Sequence, residues 1–427
     1  MNISELHELF LHHRNITTDS RDCPKGSLFF ALKGERFDGN RYAADALTTG
    51  AEYAVIDNPA YEVPGRTILV DNVLNTLQQL ARLHRKSIDI PVIGITGTNG
   101  KTTTKELIAA VLSSKYHTLY TEGNLNNQIG VPLTLLRLNH EHEMAVIEMG
   151  ASHPGDIAEL VRIACPNFGI ITNVGKAHLE GFGSFDNVIA TKGELYDYIR
   201  KVNGKIFIHS GNTHLRPIAR GIEQIAYGDE GAFTSGKAVP GTSPFLTLEW
   251  KQQGKMHTVQ THLIGDYNLE NVLAAIAIGR YFKIPSERIN RAVAGYEPTN
   301  NRSQLKQTER NTLIIDAYNA NPSSMAASLA NFAALTVSPK AVILGDMREL
   351  GDASDEEHAK IVELIGKEKF DQVFLCGEHF CRTGAPFRPF ATTEALEEAL
   401  KAEPLQGYHI LVKGSRGMAL EKVIPLL

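Results

Sequence analysis

The sequence is poor in cysteine and has no long uninterrupted apolar run. Its four cysteines are Cys23, Cys165, Cys376 and Cys381, and scattered cysteines in a chain of this length are typical of reduced thiols in a cytoplasmic protein. The spacing of Cys376 and Cys381 does not match a zinc knuckle, and no second pair follows, which favours buried thiols over a metal site. No apolar stretch approaches the roughly 18 residues of a membrane span, and residues 1–14 lack the apolar core of a signal peptide. We therefore expect a cytoplasmic chain with no membrane span.

The sequence also lacks a large excess of charge of either sign. Lys and Arg number 43 and Asp and Glu number 48, which gives a formal net charge of −5. No tract of Lys and Arg indicates a nucleic-acid surface, so we expect no nucleic-acid partner. A phosphate ligand must therefore be held by a local site. With 427 residues the chain is too long for one hydrophobic core, so we expect two or three domains.

Strand and helix patterns alternate along the chain, which predicts an α/β fold. In the first section, residues 27–32 and 53–56 have the apolar character of buried strands, and residues 75–86 have helical spacing. The central section opens with an apolar β-branched strand at residues 90–96. Its other predicted elements are strands at 144–148, 169–173 and 205–209, a small antiparallel excursion within 228–259, and a helix over 268–281.

The third section repeats one pattern, a short buried strand followed by a helical segment. Its predicted strands are at 312–316, 340–345, 372–376 and 409–412. This alternation is typical of a parallel sheet covered by helices on both faces. We predict three α/β domains in series, over residues 1–86, 87–297 and 298–427.

A glycine-rich segment connects the strand at 90–96 to a helix predicted to begin near Thr102. Glycines let consecutive backbone N–H groups point at phosphate oxygens, and the helix N-terminus adds positive potential. Lys101 can then reach the β- and γ-phosphates, and the Thr102 hydroxyl can bind Mg²⁺. A glycine turn without ligand is the alternative, but it would not require the strand, the Lys-Thr pair and the helix together. The glycines at 94, 97 and 100 depart from the common phosphate-loop spacing, which has glycine where Ile95 stands.

Three more candidate residues are Glu148 and His178, which lie at or just after the ends of predicted strands, and Lys192. Glu148 ends the strand at 144–148, and the carboxyl end of a parallel strand faces the ligand crevice, so Glu148 is a candidate ligand for Mg²⁺. His178 follows the strand at 169–173 at the same edge of the sheet. The alternatives are an exposed acid and a structural histidine. Lys192 would be a surface lysine on its sequence alone, although a lysine can carry CO₂ as a carbamate and so become an oxygen ligand.

The run from Gly94 to Thr104, with Glu148, His178 and Lys192 in that order, resembles the Mur ligase superfamily. The resemblance extends from Thr18-Asp-Ser-Arg21 to Lys413-Gly-Ser-Arg416. Motifs at residues 121–132, 316–322 and 345–351 make it specific. It implies a central phosphate-loop ATPase domain and a Rossmann-like C-terminal domain. It also implies an amide ligase that uses ATP to join D-alanyl-D-alanine to UDP-N-acetylmuramoyl-tripeptide, through an acyl phosphate, in cytoplasmic peptidoglycan precursor synthesis.

The resemblance assigns roles to particular residues. Lys101, His178 and Lys192 are implied to be catalytic, with Thr102 and Glu148 near a first Mg²⁺, and His178 and a carbamylated Lys192 framing a second. The implied ATP-binding residues are Gly97, Thr98, Asn99, Gly100, Lys101, Thr102 and Thr103 at the phosphates, Asn268 and Asn271 at the adenine, and Arg302 and Asp316 from the third domain. The implied substrate residues are Ser20, Arg21 and Lys33 at the UDP-sugar end, Asn124, Asn126 and Asn127 in a loop, and Tyr318 and Asn319. The motif Asn301-Arg-Ser-Gln304 departs from the expected Met-Arg-Leu-Glu.

Three alternatives stay open at this point. The first two are other members of the superfamily, the tripeptide-forming ligase and a folylpolyglutamate synthase. The third is a nucleotide-gated scaffold without amide chemistry. A full section before the phosphate loop disfavours the synthase, and the retained metal-ligand candidates disfavour the scaffold. The third residue of the peptide is either diaminopimelate or lysine, and the base for the amine is either water or a carboxylate such as Asp316. We expect a monomer.

Overall fold

The computed structural model describes residues 1–240, 244–299 and 302–427. Position 301, the first of the motif at 301–304, lies outside these residues. Within these ranges the strands form three sheets of four, nine and six strands and a two-stranded hairpin. Each sheet falls within one predicted section, as expected for an α/β fold of three domains, while the boundaries near 86 and 297 stay predictions.

The first domain contains a four-stranded parallel sheet with helices around it. Its strands are Ile16–Thr17, Ser27–Phe30, Ala51–Ile56 and Thr67–Leu69, and the hairpin pairs Lys33–Gly34 with Phe37–Asp38. Its helices are Ile3–His12, Ala43–Thr49 and Val73–Ser87, with 3₁₀ turns at Gly39–Tyr42 and Pro59–Tyr61. The side chain of Asn72 accepts from the N–H of Asn75 and so caps the third helix, which therefore begins before the predicted residue 75.

The first domain packs on the central domain through one continuous apolar core, which joins Leu6 and Phe10 to Leu135 and Ile147. A buried pair of histidines lies at this junction. His7 Nε2 lies 3.1 Å from His84 Nδ1, and His84 Nε2 lies 2.8 Å from the carbonyl oxygen of Leu138. Burial lowers the pKa of both imidazoles, so the junction favours neutral rings.

The central domain contains the nine-stranded sheet. In spatial order its strands are Lys255–Ile264, Phe245–Gln252, Thr234–Ala238, Glu223–Gly228, Lys205–His209, Phe168–Ile171, Val92–Thr96, Met144–Glu148 and Thr118–Tyr120. The strand Phe245–Gln252 pairs antiparallel with both of its neighbours, which confirms the predicted excursion, and the other neighbouring strands pair parallel. Its helices are Lys101–Ser113, Gly130–Leu135, Asp156–Ala164, Leu179–Phe182, Phe185–Lys201, Leu215–Ile218, Leu269–Tyr281 and Ser286–Ala294.

Several predicted bounds in the central domain are wrong by one or two residues, and two of these differences lie near the glycine-rich loop. The strand predicted to reach residue 173 ends at Ile171, because Asn173 turns away to bond with the backbone of Asn99 in the glycine-rich loop. The helix predicted from residue 268 begins at Leu269, after a 3₁₀ turn over Asp266–Asn268. Both differences occur next to the glycine-rich loop or the cavity beside it.

The third domain contains the six-stranded sheet, with apolar cores on both faces. Its strands are Gln304–Gln307, Thr312–Asp316, His409–Lys413, Lys340–Gly345, Gln372–Cys376 and Arg388–Phe390 in spatial order, all parallel except the first. Its helices are Pro322–Ala334, Ser354–Lys367, Glu378–Arg382 and Thr393–Ala402, with 3₁₀ turns at Gly351–Ala353, Arg416–Met418 and Leu420–Leu426.

All four cysteines lie within the described residues. All four cysteines are free, and Cys23 and Cys376 are buried. Over the described ranges, none of the helices combines the length and the apolarity that crossing a membrane requires.

Candidate active site

The glycine-rich loop lies at the carboxyl end of the central strand Val92–Thr96 and leads directly into the helix Lys101–Ser113. Gly97 has φ 145°, and a Cβ at this position would lie 2.0 Å from the hydroxyl oxygen of Thr172. Gly100 caps the helix at φ 74°. Glycine is therefore required at both positions, by close approach at the first and by left-handed backbone at both.

Lys101 folds back over this loop. Its ammonium donates to the carbonyl oxygens of Gly97 and Thr98, at 2.8 and 3.0 Å. Burial lowers the pKa of Lys101, because the charged form is poorly solvated there. An anionic phosphate in the loop would supply the counter-charge that this ammonium lacks.

Glu148 lies beside the first turn of the loop helix, and only 1% of its surface is exposed. Its Oε1 accepts from the Thr102 hydroxyl at 3.2 Å and from the Asn126 amide at 2.8 Å. Its Oε2 is buried and has no hydrogen-bond partner among the described residues. An unpartnered buried carboxylate oxygen costs free energy, and a hard cation with oxygen ligands would remove this cost.

The donors present therefore fit a magnesium ion that is held partly by nucleotide phosphate. Among the described residues, no group of three His, Cys, Asp or Glu side chains is placed to hold a metal by itself. Mg²⁺ in nucleotide sites needs only one or two protein carboxylates, with phosphate and water completing its octahedron. Thr102 and Glu148 supply a hydroxyl and a carboxylate of this kind.

His178 begins the short helix Leu179–Phe182 and has left-handed backbone at φ 51°. Its Nδ1 lies 2.5 Å from Oε2 of Glu349, a residue of the third domain. This neighbour holds the pKa of Glu349 below its ordinary value. His178, one of the predicted metal ligands, thus contacts the carboxylate of Glu349, which was not among the predicted site residues.

Lys192 is 2% exposed, which contradicts a surface position. It lies within the helix Phe185–Lys201, and its Nζ is 3.4 Å from the carbonyl oxygen of Ala151 and 5.2 Å from the centre of the Phe182 ring. Burial, helped by the charge of Lys101, lowers the pKa of Lys192 to about 7. The surroundings of this lysine therefore favour its neutral amine more than an exposed position would.

A cavity of about 800 Å³ opens over the loop, and its walls come from the central and third domains. This volume is suitable for a nucleotide or a ligand of similar size. Of the residues predicted to bind ATP, metal or substrate, those lining the cavity are Thr98, Asn99, Gly100, Lys101, Thr102, Thr103, Asn126, Asn127, Glu148, His178, Asn268, Asn271, Arg302, Asp316, Tyr318 and Asn319. Lys192 does not line the cavity itself and reaches only Ala151, which does.

The predicted adenine residues are buried at one side of this cavity. Asn271 donates to the side chain of Asn268 at 2.9 Å and accepts from the Thr104 hydroxyl at 3.0 Å. A Cβ on Gly100 would lie 2.6 Å from the amide oxygen of Asn271. Asn271 therefore supports the glycine-rich loop directly, and the adenine role of both asparagines stays a prediction.

The third domain contributes an aromatic and charged wall. The Arg302 guanidinium lies 3.6 Å from the centre of the Tyr318 ring. Asp316 accepts from the ammonium of Lys413 and, at 3.1 Å, from the hydroxyl of Ser328. The side-chain oxygen of Asn319 is used locally, because it accepts from the N–H of Ala320.

The predicted UDP-sugar residues lie apart from this cavity. Arg21 pairs with Asp19 at 2.7 Å, and Lys33 pairs with Asp57, also at 2.7 Å. Ser20 is half-buried on the same surface of the first domain, and Asn124 is exposed. None of Ser20, Arg21, Lys33 and Asn124 lines the 800 Å³ cavity. Their substrate roles stay predictions.

Several residues at the meeting of the two domains were missed by the sequence analysis. Asn321 donates to the side chain of Asn99 in the glycine-rich loop at 2.7 Å, and Asn99 donates to Ser323 at 3.1 Å. Two further missed residues are Glu349, which contacts His178, and Lys413, which donates to Asp316. Asn321, Glu349 and Lys413 belong to motifs already quoted, but only the fold shows which partner each one contacts.

The fold and the cavity together define a phosphate-loop nucleotide-binding protein with a third domain that covers the nucleotide site. Three family models match along the chain: the Mur ligase family catalytic domain at residues 12–85, the Mur ligase middle domain at 95–279, and the Mur ligase glutamate ligase domain at 301–416. The chain belongs to the Mur ligase family, and the resemblance predicted from its motifs is confirmed.

Relatives and solved structures agree with this assignment over nearly the whole chain. The UDP-N-acetylmuramoyl-tripeptide–D-alanyl-D-alanine ligase of Bacillus subtilis is 35% identical, with 96% of this chain and 92% of the relative covered. MurF from Acinetobacter baumannii has a TM-score of 0.87 at 29% identity, covering 96% and 92% of the two chains. MurF from Thermotoga maritima, solved in complex with ADP, has a TM-score of 0.86 at 28% identity, covering 97% of each chain.

Proposed function

We propose that this chain is an amide ligase that uses ATP to add D-alanyl-D-alanine to UDP-N-acetylmuramoyl-tripeptide. The observation that carries this proposal is the buried Oε2 of Glu148, which lacks a partner among the described residues and lies beside Thr102 at the start of the loop helix. Such an atom is suited to a cation bound with nucleotide phosphate. The name of the Bacillus subtilis relative supplies the two substrates.

The first step joins the carboxylate of the tripeptide to the γ-phosphate of ATP. A carboxylate oxygen attacks the γ-phosphorus, the bond to the β,γ-bridging oxygen breaks, and ADP leaves with that electron pair. The products are an acyl phosphate and ADP. Because the two reactants are both anions, catalysis depends mainly on positioning and on neutralising charge. Lys101 is the residue of the loop suited to that task.

We propose two magnesium ions, which would supply charge neutralisation between carboxylate and phosphate. Thr102 and Glu148 would hold the first, and His178 with a carbamylated Lys192 would hold the second. The burial and lowered pKa of Lys192 support the carbamate. Its neutral amine can add to CO₂ with loss of one proton, and the product replaces a buried cation by an anionic oxygen ligand.

In the second step the amine of D-alanyl-D-alanine attacks the acyl carbon and expels phosphate, and the nitrogen loses a proton. Asp316 is one candidate base, although its Oδ2 is already bound by Lys413 and Ser328. Water is the other. Because the third domain covers the loop, it also excludes water that would hydrolyse an acyl phosphate. The third residue of the peptide stays open between diaminopimelate and lysine.

The proposed setting is cytoplasmic precursor synthesis by a monomer. ATP is the energy source, and the UDP-linked substrate is a soluble precursor. The described residues contain no helix able to span a membrane.

The direct test measures phosphate release from ATP with UDP-N-acetylmuramoyl-tripeptide, with and without D-alanyl-D-alanine. We expect release that requires both substrates, together with a product heavier by one dipeptide residue unit. Release that requires a different amine or a different acceptor would retain the family chemistry and overturn the substrate assignment.

A further inference from the structure

One side chain of the first domain reaches a loop beside the nucleotide cavity. Gln78 lies in the helix Val73–Ser87 and is half-buried. Its amide nitrogen donates to the carboxylate of Glu159 at 2.7 Å and to the carbonyl oxygen of Gln128 at 3.3 Å. A glutamine amide nitrogen carries two hydrogens, so it can serve both acceptors together. Gln78 therefore joins the first domain to the loop at residues 121–129 and to the helix that contains Glu159.

The contact at Gln128 fixes a peptide bond whose other side is used within the loop. The Gln128 carbonyl belongs to the same peptide bond as the N–H of Ile129. That N–H donates to the side-chain oxygen of Asn127 at 3.1 Å, and the N–H of Gly130 donates to the same oxygen at 2.9 Å. Because a peptide bond is planar, a donor that holds the carbonyl also holds the direction of the N–H. Gln78 thus helps to fix the turn of backbone that orients the Asn127 side chain.

The orientation of Asn127 matters because its side chain is exposed and lines the 800 Å³ cavity. Its oxygen is occupied by the two backbone N–H groups, which leaves the amide nitrogen as the available group. Within the described part of the chain, no acceptor bonds to this nitrogen. An amide with two N–H donors in a cavity wall is suited to a carbonyl or carboxylate oxygen of a peptide.

We propose that Gln78 is a positioning residue for the UDP-linked substrate, which acts through the Gln128 carbonyl to keep the Asn127 amide available in the cavity. This inference rests on the proposed function, because Asn127 has a ligand to bind only if the cavity receives the tripeptide. It goes beyond that function by giving a residue of the first domain a role at the nucleotide cavity. The first domain then contributes to substrate binding through this loop as well as through its predicted UDP-sugar residues.

The central domain holds the same loop from a second side. The side-chain amide of Gln128 donates to Asp156 at 3.4 Å, and Asp156 begins the helix that carries Glu159. The loop is therefore held at the Gln128 carbonyl by Gln78 and at the Gln128 side chain by Asp156. Removing Gln78 leaves the second contact in place, so we expect the loop to loosen while the fold stays intact.

The neighbouring residue on the same helix provides a matched control. Gln79 is exposed, and its amide nitrogen donates to Asn75 of that helix at 3.1 Å. Gln79→Ala therefore removes the same kind of side chain without touching the loop.

A double substitution, Gln78→Glu with Glu159→Gln, separates the two contacts of Gln78. The pair can still form a hydrogen bond between positions 78 and 159, because the glutamine now donates to the carboxylate. A carboxylate at position 78 has no hydrogen to donate to the Gln128 carbonyl. The double variant thus retains the link between the two domains and loses only the contact with the loop.

The first measurement is hydrogen–deuterium exchange by mass spectrometry on the full chain without ligands. In Gln78→Ala we expect the amides of residues 129–131 to exchange about fivefold faster or more, because a hydrogen bond that holds the loop is lost. Gln79→Ala should exchange as the original chain does, and the fast exchange should persist in the double variant. Unchanged exchange in Gln78→Ala would overturn the proposal. Recovery in the double variant would overturn it as well, since the link between the domains would then suffice.

The second measurement is KM in the ligase assay. We expect the KM for UDP-N-acetylmuramoyl-tripeptide to rise about fivefold or more in Gln78→Ala and in the double variant, with the KM for ATP changed less than about twofold. Gln79→Ala should alter neither constant. An equal rise in both KM values would contradict the positioning role, because it would indicate a general loosening of the site. Since the exchange measurement needs no substrate, it separates failure of this inference from failure of the proposed ligase function.

Discussion

The two ends of the predicted site differ in how they are built. At the nucleotide end, Thr102, Glu148 and Lys192 are buried, and hydrogen bonds connect them to neighbouring strands and loops. At the UDP-sugar end, Arg21 lies in an exposed turn and Lys33 in the exposed hairpin, and each pairs with an acid of its own domain. The nucleotide end is therefore fixed before a ligand arrives, whereas the sugar end must exchange its partners.

This difference determines what each end can contribute. Buried groups in fixed positions act on developing charge without paying for reorganisation, so they favour catalysis. Exposed ion pairs contribute little free energy, so a phosphate or sugar can displace their partners at low cost. We therefore expect substitutions at the nucleotide end to change turnover, and substitutions at the sugar end to change substrate affinity.

The largest effect is expected from Lys192→Ala. Removing the amine removes the proposed carbamate, and we expect turnover to fall about 100- to 1,000-fold, as for the loss of one fixed electrostatic group. Added short carboxylates should restore part of the activity by occupying the vacated space. Lys201→Ala, an exposed lysine at the end of the same helix, is the control. Full activity in Lys192→Ala would refute the carbamate.

Thr102→Val should have the next largest effect. The valine keeps the size of the side chain but removes the hydroxyl that contacts Glu148. We expect the magnesium concentration for half-maximal activity to rise about tenfold, with a fall in kcat. Thr102→Ser, which keeps the hydroxyl, should behave almost as the original chain. An unchanged magnesium dependence in the valine variant would exclude Thr102 as a ligand.

Arg21→Ala tests the sugar end. The substitution removes one charged hydrogen bond to the proposed substrate, so the KM for the UDP-linked substrate should rise about tenfold or more. The value of kcat at saturation should change less than about twofold. Arg82→Ala, at an exposed position of the helix Val73–Ser87, should alter neither constant. A large fall in kcat with constant KM in Arg21→Ala would contradict the idea that the sugar end determines affinity and the nucleotide end determines turnover.

The smallest expected effect is a pH dependence of stability at the buried histidine pair between the first and central domains. Burial lowers the pKa of His84 below its ordinary value of 6.5, so the unfolded chain binds a proton that the folded chain resists. The free energy of unfolding should therefore decrease as the pH falls below about 6.5. Glu8 and Arg14 of the first domain, with His7 and His140, contribute the nearby charges.

Thermal unfolding at about pH 7.5 and about pH 5.5 measures this contribution. In His84→Gln the loss of Tm between the two pH values should be smaller by about 2 °C or more than in the original chain. The exposed His140 offers the control substitution, His140→Gln. The same pH sensitivity in His84→Gln as in the original chain would show that this pair does not carry the effect.

The sequence predicted the local parts of the site better than the parts that depend on distant contacts. The glycine-rich loop could be recognised because its strand, glycines, Lys-Thr pair and helix are contiguous. The need for glycine at position 97 depends on Thr172, and the end of the neighbouring strand depends on Asn173. Such contacts form between residues far apart in the chain, so periodicity does not predict them.

The burial of Lys192 is a second instance of the same limit. Nothing in its local sequence separates it from a surface lysine, and only the packing of its helix against the central domain buries it. The contacts of Asn321 with Asn99 and of Glu349 with His178 depend on the arrangement of two domains. Residue types and motifs indicated the chemistry, and the tertiary structure supplied the partners.

The most direct test of the proposed chemistry follows oxygen from substrate to phosphate. UDP-N-acetylmuramoyl-tripeptide labelled with ¹⁸O in its carboxylates is incubated with ATP and D-alanyl-D-alanine, and the released phosphate is analysed by mass spectrometry. Activation through an acyl phosphate predicts one ¹⁸O atom in each phosphate and one retained in the new amide. Phosphate without ¹⁸O, released in step with product, would contradict the acyl-phosphate route.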